Sequence, residues 1–117
     1  MSNRTKTAKA KGRTGQQEIR DALLEAFPEL EPGDVVSTTM GDTGADIKLS
    51  PAAKKKIPIS IEVKRRKSGM ATQYKWLEQA RNHGVDIPAL FFRADRKDWL
   101  VVVELKHYLN LLKKWKS

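Results

Sequence analysis

Two carboxylates and a lysine fall close together in the stretch GADIKLSPAAKKKIPISIEVKRRK, residues 44–67. Asp46 heads an apolar run, and Glu62 follows sixteen residues later, two before Lys64. In IPISIEVK the apolar Ile57, Ile59, Ile61 and Val63 alternate with Ser60, Glu62 and Lys64. An extended chain therefore puts Glu62 and Lys64 on one face, away from the apolar side chains. A lone Glu-x-Lys on a strand is ordinarily a solvated face. Here three further features count: Asp46 opens the preceding strand after a Gly-containing turn, the Glu-x-Lys strand is central in the order of elements, and the surrounding charge is basic. Asp46 and Glu62 on neighbouring strands can converge on one hard divalent cation, with the Val63 carbonyl as a further ligand and the remaining positions left to water and a substrate phosphate oxygen. Such an ion polarises the phosphoryl group and lowers the pKa of bound water. Lys64, on Glu62's side of the sheet, can orient or deprotonate the attacking water or neutralise charge on the phosphorane. This is a minimal set for metal-dependent phosphodiester hydrolysis.

The elements that must position these residues are legible from periodicity. From Gly15 to Phe27, Ile19, Ala22, Leu23, Ala26 and Phe27 recur at helical spacing until Pro28 stops the run. VVSTT and ADIKL, separated by the Gly-rich MGDTG, read as a hairpin. SPAAKKK opens with a capping Ser and a Pro suited to a first helical position, so it reads as a brief helical turn. IPISIEVK is the clearest strand. ATQYKWLEQARNHG is a second helix with Tyr74, Leu77 and Ala80 on one face; PALFFRAD and WLVVVEL are strands joined by DRKD; LKHYLNLLKKW is a closing amphipathic helix. The order implies an α/β fold, a mixed central sheet of about five strands flanked by helices. The first three strands should be antiparallel, and a right-handed crossover through the second helix should lay PALFFRAD parallel to IPISIEVK.

Composition bounds the partner. The chain has 117 residues, net charge +9 and no cysteine, so disulfide frameworks and thiolate metal sites are excluded. No apolar run approaches the roughly 18 residues that span a bilayer, and the N-terminus lacks the apolar segment of a signal peptide, so a soluble, intracellular protein is expected. The positive charge is clustered, which points to a polyanion, with nucleic acid first among candidates. Residues 1–14 carry five basic residues, among them Lys11 and Arg13, with no acid and little apolar surface. They read as a flexible basic arm before one domain over 15–117. Lys54, Lys55 and Lys56 form a second cluster, and Arg65, Arg66 and Lys67, directly after the Glu-x-Lys, are the best phosphate clamp. His83 and His107 are isolated and read as surface or packing groups, Asp42 as ordinary turn chemistry, and Trp76, Trp99 and Trp115 as core or interface anchors.

GAD before an apolar strand, then IEVK, with a helix bearing Glu18 ahead and ATQYKWLEQA behind, resembles the PD-(D/E)xK nuclease superfamily over residues 11–93. Its small members include archaeal-type Holliday junction resolvases, phage resolvase-like endonucleases and VRR-NUC domains, and LSPAAKKKIPISIEVK is similar to short phage-encoded members. The resemblance implies a restriction-endonuclease-like core. It also implies Mg²⁺ or Mn²⁺ held by Asp46 and Glu62, Lys64 as catalytic lysine, and a branched or double-stranded DNA substrate cut by a homodimer. Ala45 stands where the family name has Pro. Glu18 is either an N-terminal acid facing the helix dipole or a carboxylate of the site, matching a resolvase pattern in KGRTGQQE. Gln73, three residues before Trp76-Leu77, falls on the apolar helix face and resembles a VRR-NUC site position; Gln79 projects roughly opposite. An apolar patch on the last helix, Tyr108, Leu111, Leu112 and Trp115, is the candidate subunit interface. Two alternatives stay open: a sequence-specific homing or restriction-type endonuclease on the same fold, and a non-catalytic basic nucleic-acid-binding module in which Glu62 and Lys64 are a surface ion pair. Deleting residues 1–13 is expected to weaken DNA binding and to lower the log-log salt slope by about 0.9 for each phosphate no longer neutralised. Titrations at several salt concentrations measure this, and an unchanged slope would mean that the segment does not touch DNA.

Overall fold

A computed structural model describes residues 3–38 and 46–115, with side chains from Thr14 onward. The MGDTG turn and Asp42 lie outside the described residues. The elements are α1 (Asn3–Ala26), a 3-10 turn (Pro32–Asp34), β1 (Val35–Ser37), β2 (Ile47–Leu49), α2 (Pro51–Lys56), α3 (Ala71–Arg81), β3 (Ala89–Phe92), β4 (Leu100–Val103) and α4 (Leu105–Trp115). Among the described residues, no helix is long and apolar enough to cross a membrane. The chain divides into two compact units, Met1–Arg65 with Leu112–Ser117, and Arg66–Leu111.

In the first unit, α1 begins well before Gly15, since residues 3–14 are rich in the good helix formers Ala, Lys and Arg. Its C-terminal half buries Leu23 and Phe27, one turn apart, and Pro28 ends it. Arg20 ties the helix to the hairpin: Nε donates to the Val35 carbonyl at 2.8 Å and Nη2 to that of Pro32 at 3.3 Å. β1 and β2 pair antiparallel, Val35 with Leu49, Val36 with Lys48 and Ser37 with Ile47. Their alternation turns Val35 and Ile47 inward, and Leu30, Ala53, Ile57 and Leu112 complete the buried apolar set of this unit.

Asp34 and Ser50 close the hairpin's open end. Ser50 Oγ donates to Asp34 Oδ1 at 2.7 Å and accepts from Ala53 N–H at 3.1 Å, which makes Ser50 the N-cap of α2 with Pro51 behind it. The Ser50 amide donates to the Asp34 carbonyl at 2.9 Å, and Asp34 Oδ2 accepts from the Glu31 amide at 2.8 Å. The polar side chains of this corner are thereby paired, so the chain can reverse here over a buried Ala53.

The second unit contains α3, with Leu77 buried, and the antiparallel hairpin β3–β4, registered Ala89 with Val103 through Phe92 with Leu100. α3 packs on β3. Arg81 holds Glu78 one turn back on α3 and Glu104 just before α4. The Arg93 guanidinium lies 5.2 Å from the Trp99 ring centroid. Tyr74, placed by periodicity on the packed face of α3, is exposed.

Helices and strands alternate as an α/β chain should, but the five-stranded mixed sheet is not formed. Among the described residues there are two separate two-stranded antiparallel sheets, β1–β2 and β3–β4. The missing element is the stretch 57–64, which joins no ladder and does not pair with β3. Pro58 supplies no ladder donor, and Ile59 N–H turns back to the Ile57 carbonyl at 2.9 Å across it. The alternation survives without the sheet: Ile57 is buried and Ile59, Ile61 and Val63 are half-buried, while Ser60, Glu62 and Lys64 are exposed.

Ser50→Ala should cost about 1 kcal/mol, the usual worth of an N-cap. The Ser50 hydroxyl first, and the Glu31 amide second, hold the Asp34 carboxyl below its ordinary pKa. A lowered folded-state pKa stabilises fully above the unfolded value of about 4 and is lost as pH falls through the folded one. The melting-temperature gap between wild type and Asp34→Asn should therefore be full at neutral pH and close below pH 4; a gap independent of pH would refute the assignment.

Candidate active site

The site is built around Asp46, which immediately precedes β2. Its carbonyl accepts from the Thr38 amide at 3.0 Å and the Thr38 hydroxyl at 3.1 Å, extending the β1–β2 pairing by one residue. Its amide donates the other way, to the Ile61 carbonyl at 2.9 Å. Its carboxylate Oδ2 accepts from the Val63 amide at 2.6 Å. A parallel pairing centred on residues 46 and 62 would use the bonds 46 N–H to 61 C=O and 63 N–H to 46 C=O. The first is made; in the second a carboxylate oxygen replaces the carbonyl, which Thr38 already occupies. These two bonds bring residues 61 and 63 beside Asp46, with Glu62 between them.

Glu62 and Lys64 project outward from this segment, and Glu62 Oε2 lies 3.1 Å from Lys64 Nζ with the side chains 62% and 68% exposed. Solvent at that exposure screens the pair, so it contributes little to stability and leaves both charges accessible. On the other side of the segment runs α1. Gly15 is buried there, and a Cβ at that position would meet Val63 Cγ1 at 3.4 Å and Arg65 Cβ at 3.6 Å. One turn on, Glu18 Oε1 lies 3.8 Å from Arg65 Nη1. Because α1 starts at Asn3, Glu18 is mid-helix and not in the first turn, which removes the helix-dipole reading; its charge is turned instead toward the residue after Lys64.

Asp46, Glu62, Val63, Lys64, Glu18 and Arg65 are therefore neighbours through direct bonds or adjacency. The donors a metal would find are hard oxygens: Asp46 Oδ1, which accepts no hydrogen bond from the described residues, the Glu62 carboxylate and the Val63 carbonyl. No group of three or more His, Asp or Glu gathers among the described residues. Two carboxylates fit an ion such as Mg²⁺, which keeps several waters, and do not fit an all-protein cage.

The other expected site residues are spread out. Gln73 lies on α3 in the second unit, where its Oε1 is buried and has no hydrogen-bond partner among the described residues. Gln79 is exposed on the same helix, His83 is exposed and His107 half-buried. Lys54, Lys55 and Lys56 fill the last turn of α2, all exposed; Lys56 Nζ pairs with Glu29 Oε1 at 3.1 Å. Glu29 sits below the ordinary carboxylate range because of its own backbone amide and that lysine. Arg65, Arg66 and Lys67 are exposed; the side chains of Lys11 and Arg13 lie outside the described set. Of the expected subunit patch, Leu111 and Trp115 are exposed and Tyr108 half-buried, but Leu112 is buried in the first unit's core and is not part of any open surface. Sequence reasoning missed Gly15 as a neighbour of the site. The signal was a glycine inside a helical pattern, which costs about 1 kcal/mol relative to Ala and ordinarily marks a close approach.

Compared with known protein families, with characterised proteins and with solved structures, the chain finds no match.

Gly15→Ala should be neutral or stabilising by up to about 1 kcal/mol, since its Cβ reaches only van der Waals contact and removes a helical glycine. Gly15→Leu should cost about 1–3 kcal/mol by pushing Val63 away. Urea midpoints measure both, and equal effects would mean that α1 does not pack on residues 63–65.

Proposed function

We propose that this chain is a divalent-metal-dependent DNA endonuclease. The observation that supports it most is the bonding of Asp46 to residues 61 and 63, which flank Glu62 and so bring the chain's Glu62-x-Lys64 beside a second carboxylate. Asp46 and Glu62 would hold Mg²⁺ or Mn²⁺ through oxygen, with the Val63 carbonyl available as a third protein ligand. When bound, that ion polarises the phosphoryl oxygen and acidifies a water.

The chain's own residues do the rest. Lys64 Nζ, resting on Glu62, exchanges that partner for the attacking water or for a phosphate oxygen, and there orients the water or offsets the developing charge. Arg65, Arg66 and Lys67 follow without interruption and bind the flanking phosphates; Lys54 and Lys55 extend the positive surface. Phosphate contacts position a duplex without reading its sequence. A structure-specific, resolvase-like substrate, cut by a homodimer acting on two strands, is the form of the proposal that follows. A sequence-specific endonuclease differs only in substrate, and a panel of four-way junction, flap, duplex and single-stranded DNA with Mg²⁺ or Mn²⁺ separates them.

One observation favours a second reading. Glu62 and Lys64 neutralise each other at 3.1 Å, and the Asp46 carboxylate serves a backbone amide, which is also what a non-catalytic basic DNA-binding module would do. Titration with Mg²⁺ or Mn²⁺ decides: resonances of Asp46 and Glu62 shift under the nuclease reading and stay fixed under the other.

Asp46→Asn and Glu62→Gln should each lower cleavage on the order of 10³-fold, as expected for loss of several kcal/mol of transition-state stabilisation, with DNA binding kept or slightly tightened. Lys64→Ala should lower turnover by about 10²–10⁴-fold at nearly unchanged affinity, whereas Arg66→Ala and Lys67→Ala should weaken binding and alter cleavage only in proportion. Should Lys64→Ala behave like the latter two, Lys64 is a phosphate contact and not a catalytic residue.

A further inference from the structure

Residues 58–65 hold the Glu62 and Lys64 side chains in place with very few polar ties. Among the described residues, the main-chain bonds of this stretch are the local turn across Pro58, the Asp46 amide to the Ile61 carbonyl, and the Val63 amide to Asp46 Oδ2. Among those residues, no strand flanks it to complete a ladder. We propose that Asp46 is the positioning residue of the Glu62–Lys64 segment: its carboxylate substitutes for a main-chain acceptor, takes the Val63 amide, and so fixes the register that sets Glu62 beside Asp46.

Three observations carry this. First, the acceptor that a regular pairing would use, the Asp46 carbonyl, is already taken twice by Thr38, so only the side chain is left to receive Val63 N–H. Second, the 2.6 Å contact joins an amide to a carboxylate oxygen, and such charge-assisted bonds are roughly twice as strong as neutral ones. Third, Val63 is gripped from its other side by packing on Gly15 of α1. The residue between Glu62 and Lys64 is thus pinned by an apolar contact at its side chain and by Asp46 at its backbone.

The two oxygens of Asp46 then divide the work. Oδ2 is committed to Val63, and Oδ1 accepts no hydrogen bond from the described residues. Loss of the side chain to Ala removes both functions, whereas Asn retains an oxygen for Val63 and loses the negative charge. The functional meaning of the positioning rests on the nuclease reading above; the positioning itself requires neither metal nor DNA.

Amide hydrogen exchange by NMR on the metal-free full chain tests it. In the wild type, the Val63 amide should exchange at least about tenfold more slowly than that of Lys64 and resonate downfield, as a hydrogen bond to a charged acceptor produces. In Asp46→Ala it should fall to the level of Lys64 while the Phe27 amide of the α1 terminus stays protected. In Asp46→Asn it should recover most of that protection, several-fold short of wild type and shifted upfield, because a neutral oxygen accepts more weakly. An unprotected Val63 in the wild type overturns the proposal, as does protection in Asp46→Ala equal to wild type. If Asp46→Ala loses Phe27 protection too and has unfolded, Asp46→Asn decides: an exchange rate and shift for Val63 identical to wild type overturn the proposal. Loss of the nuclease reading is read separately: a protected Val63 in a chain that cleaves no DNA counts against the enzyme and not against the positioning.

Discussion

A single carboxylate joins the part of this chain that is regular to the part that is not. Asp46 extends the β1–β2 pairing through its carbonyl and also receives and donates the two bonds that hold residues 61–63. Without those bonds the Glu-x-Lys stretch would be an extended chain on an apolar floor, with Ile57, Ile59, Ile61 and Val63 pulled inward and nothing fixing its slide along that floor. Hydrophobic burial is non-directional and tolerates such sliding; a short charge-assisted hydrogen bond does not. The register of the candidate site is therefore an electrostatic decision imposed on a hydrophobic one.

The rest of the first unit supports that decision from below. Arg20 fastens α1 to the start of β1, the Asp34–Ser50 corner returns the chain from β2 into α2, and α2 delivers Ile57 into the same core as Val35 and Ile47. Each of these ties satisfies backbone groups that would otherwise be stranded where the chain changes direction, which is why so short a hairpin can hold its shape. The close approach of α1 at Gly15 supplies the far wall and brings Glu18 and Arg65 together over Lys64's neighbour.

Charge is arranged on a different principle from packing. The described cationic clusters, Lys54 to Lys56 and Arg65 to Lys67, are exposed, and of these residues only Lys56 and Arg65 have a described carboxylate partner within 4.0 Å, Glu29 and Glu18. Such charges add little to stability and much to the attraction of a polyanion. Two acidic residues of the candidate site are paired with neighbouring cations, Glu62 with Lys64 and Glu18 with Arg65.

The amino-acid sequence alone determined the local elements: the helical run into Pro28, the capped turn at Ser50-Pro51, the hairpins, and the in-out alternation of Ile57 to Lys64, because each follows from periodicity and from the chemistry of a few adjacent residues. It also placed Asp46, Glu62 and Lys64 as the residues to watch, since their types and spacing suffice for that. It did not determine that the alternating stretch would stay outside any sheet, that Glu18 would be mid-helix, or that Leu112 would be drawn into the core and away from a subunit patch. The first and last of these depend on partners distant in sequence, while the place of Glu18 follows from helix-forming residues ahead of it whose tendency a polar, basic composition obscured. Only the tertiary structure decided that Pro58 and the occupied Asp46 carbonyl would leave one side-chain oxygen to do the work of a ladder, because hydrogen-bond pairing between distant segments is set by which acceptors remain after the nearer ones are satisfied.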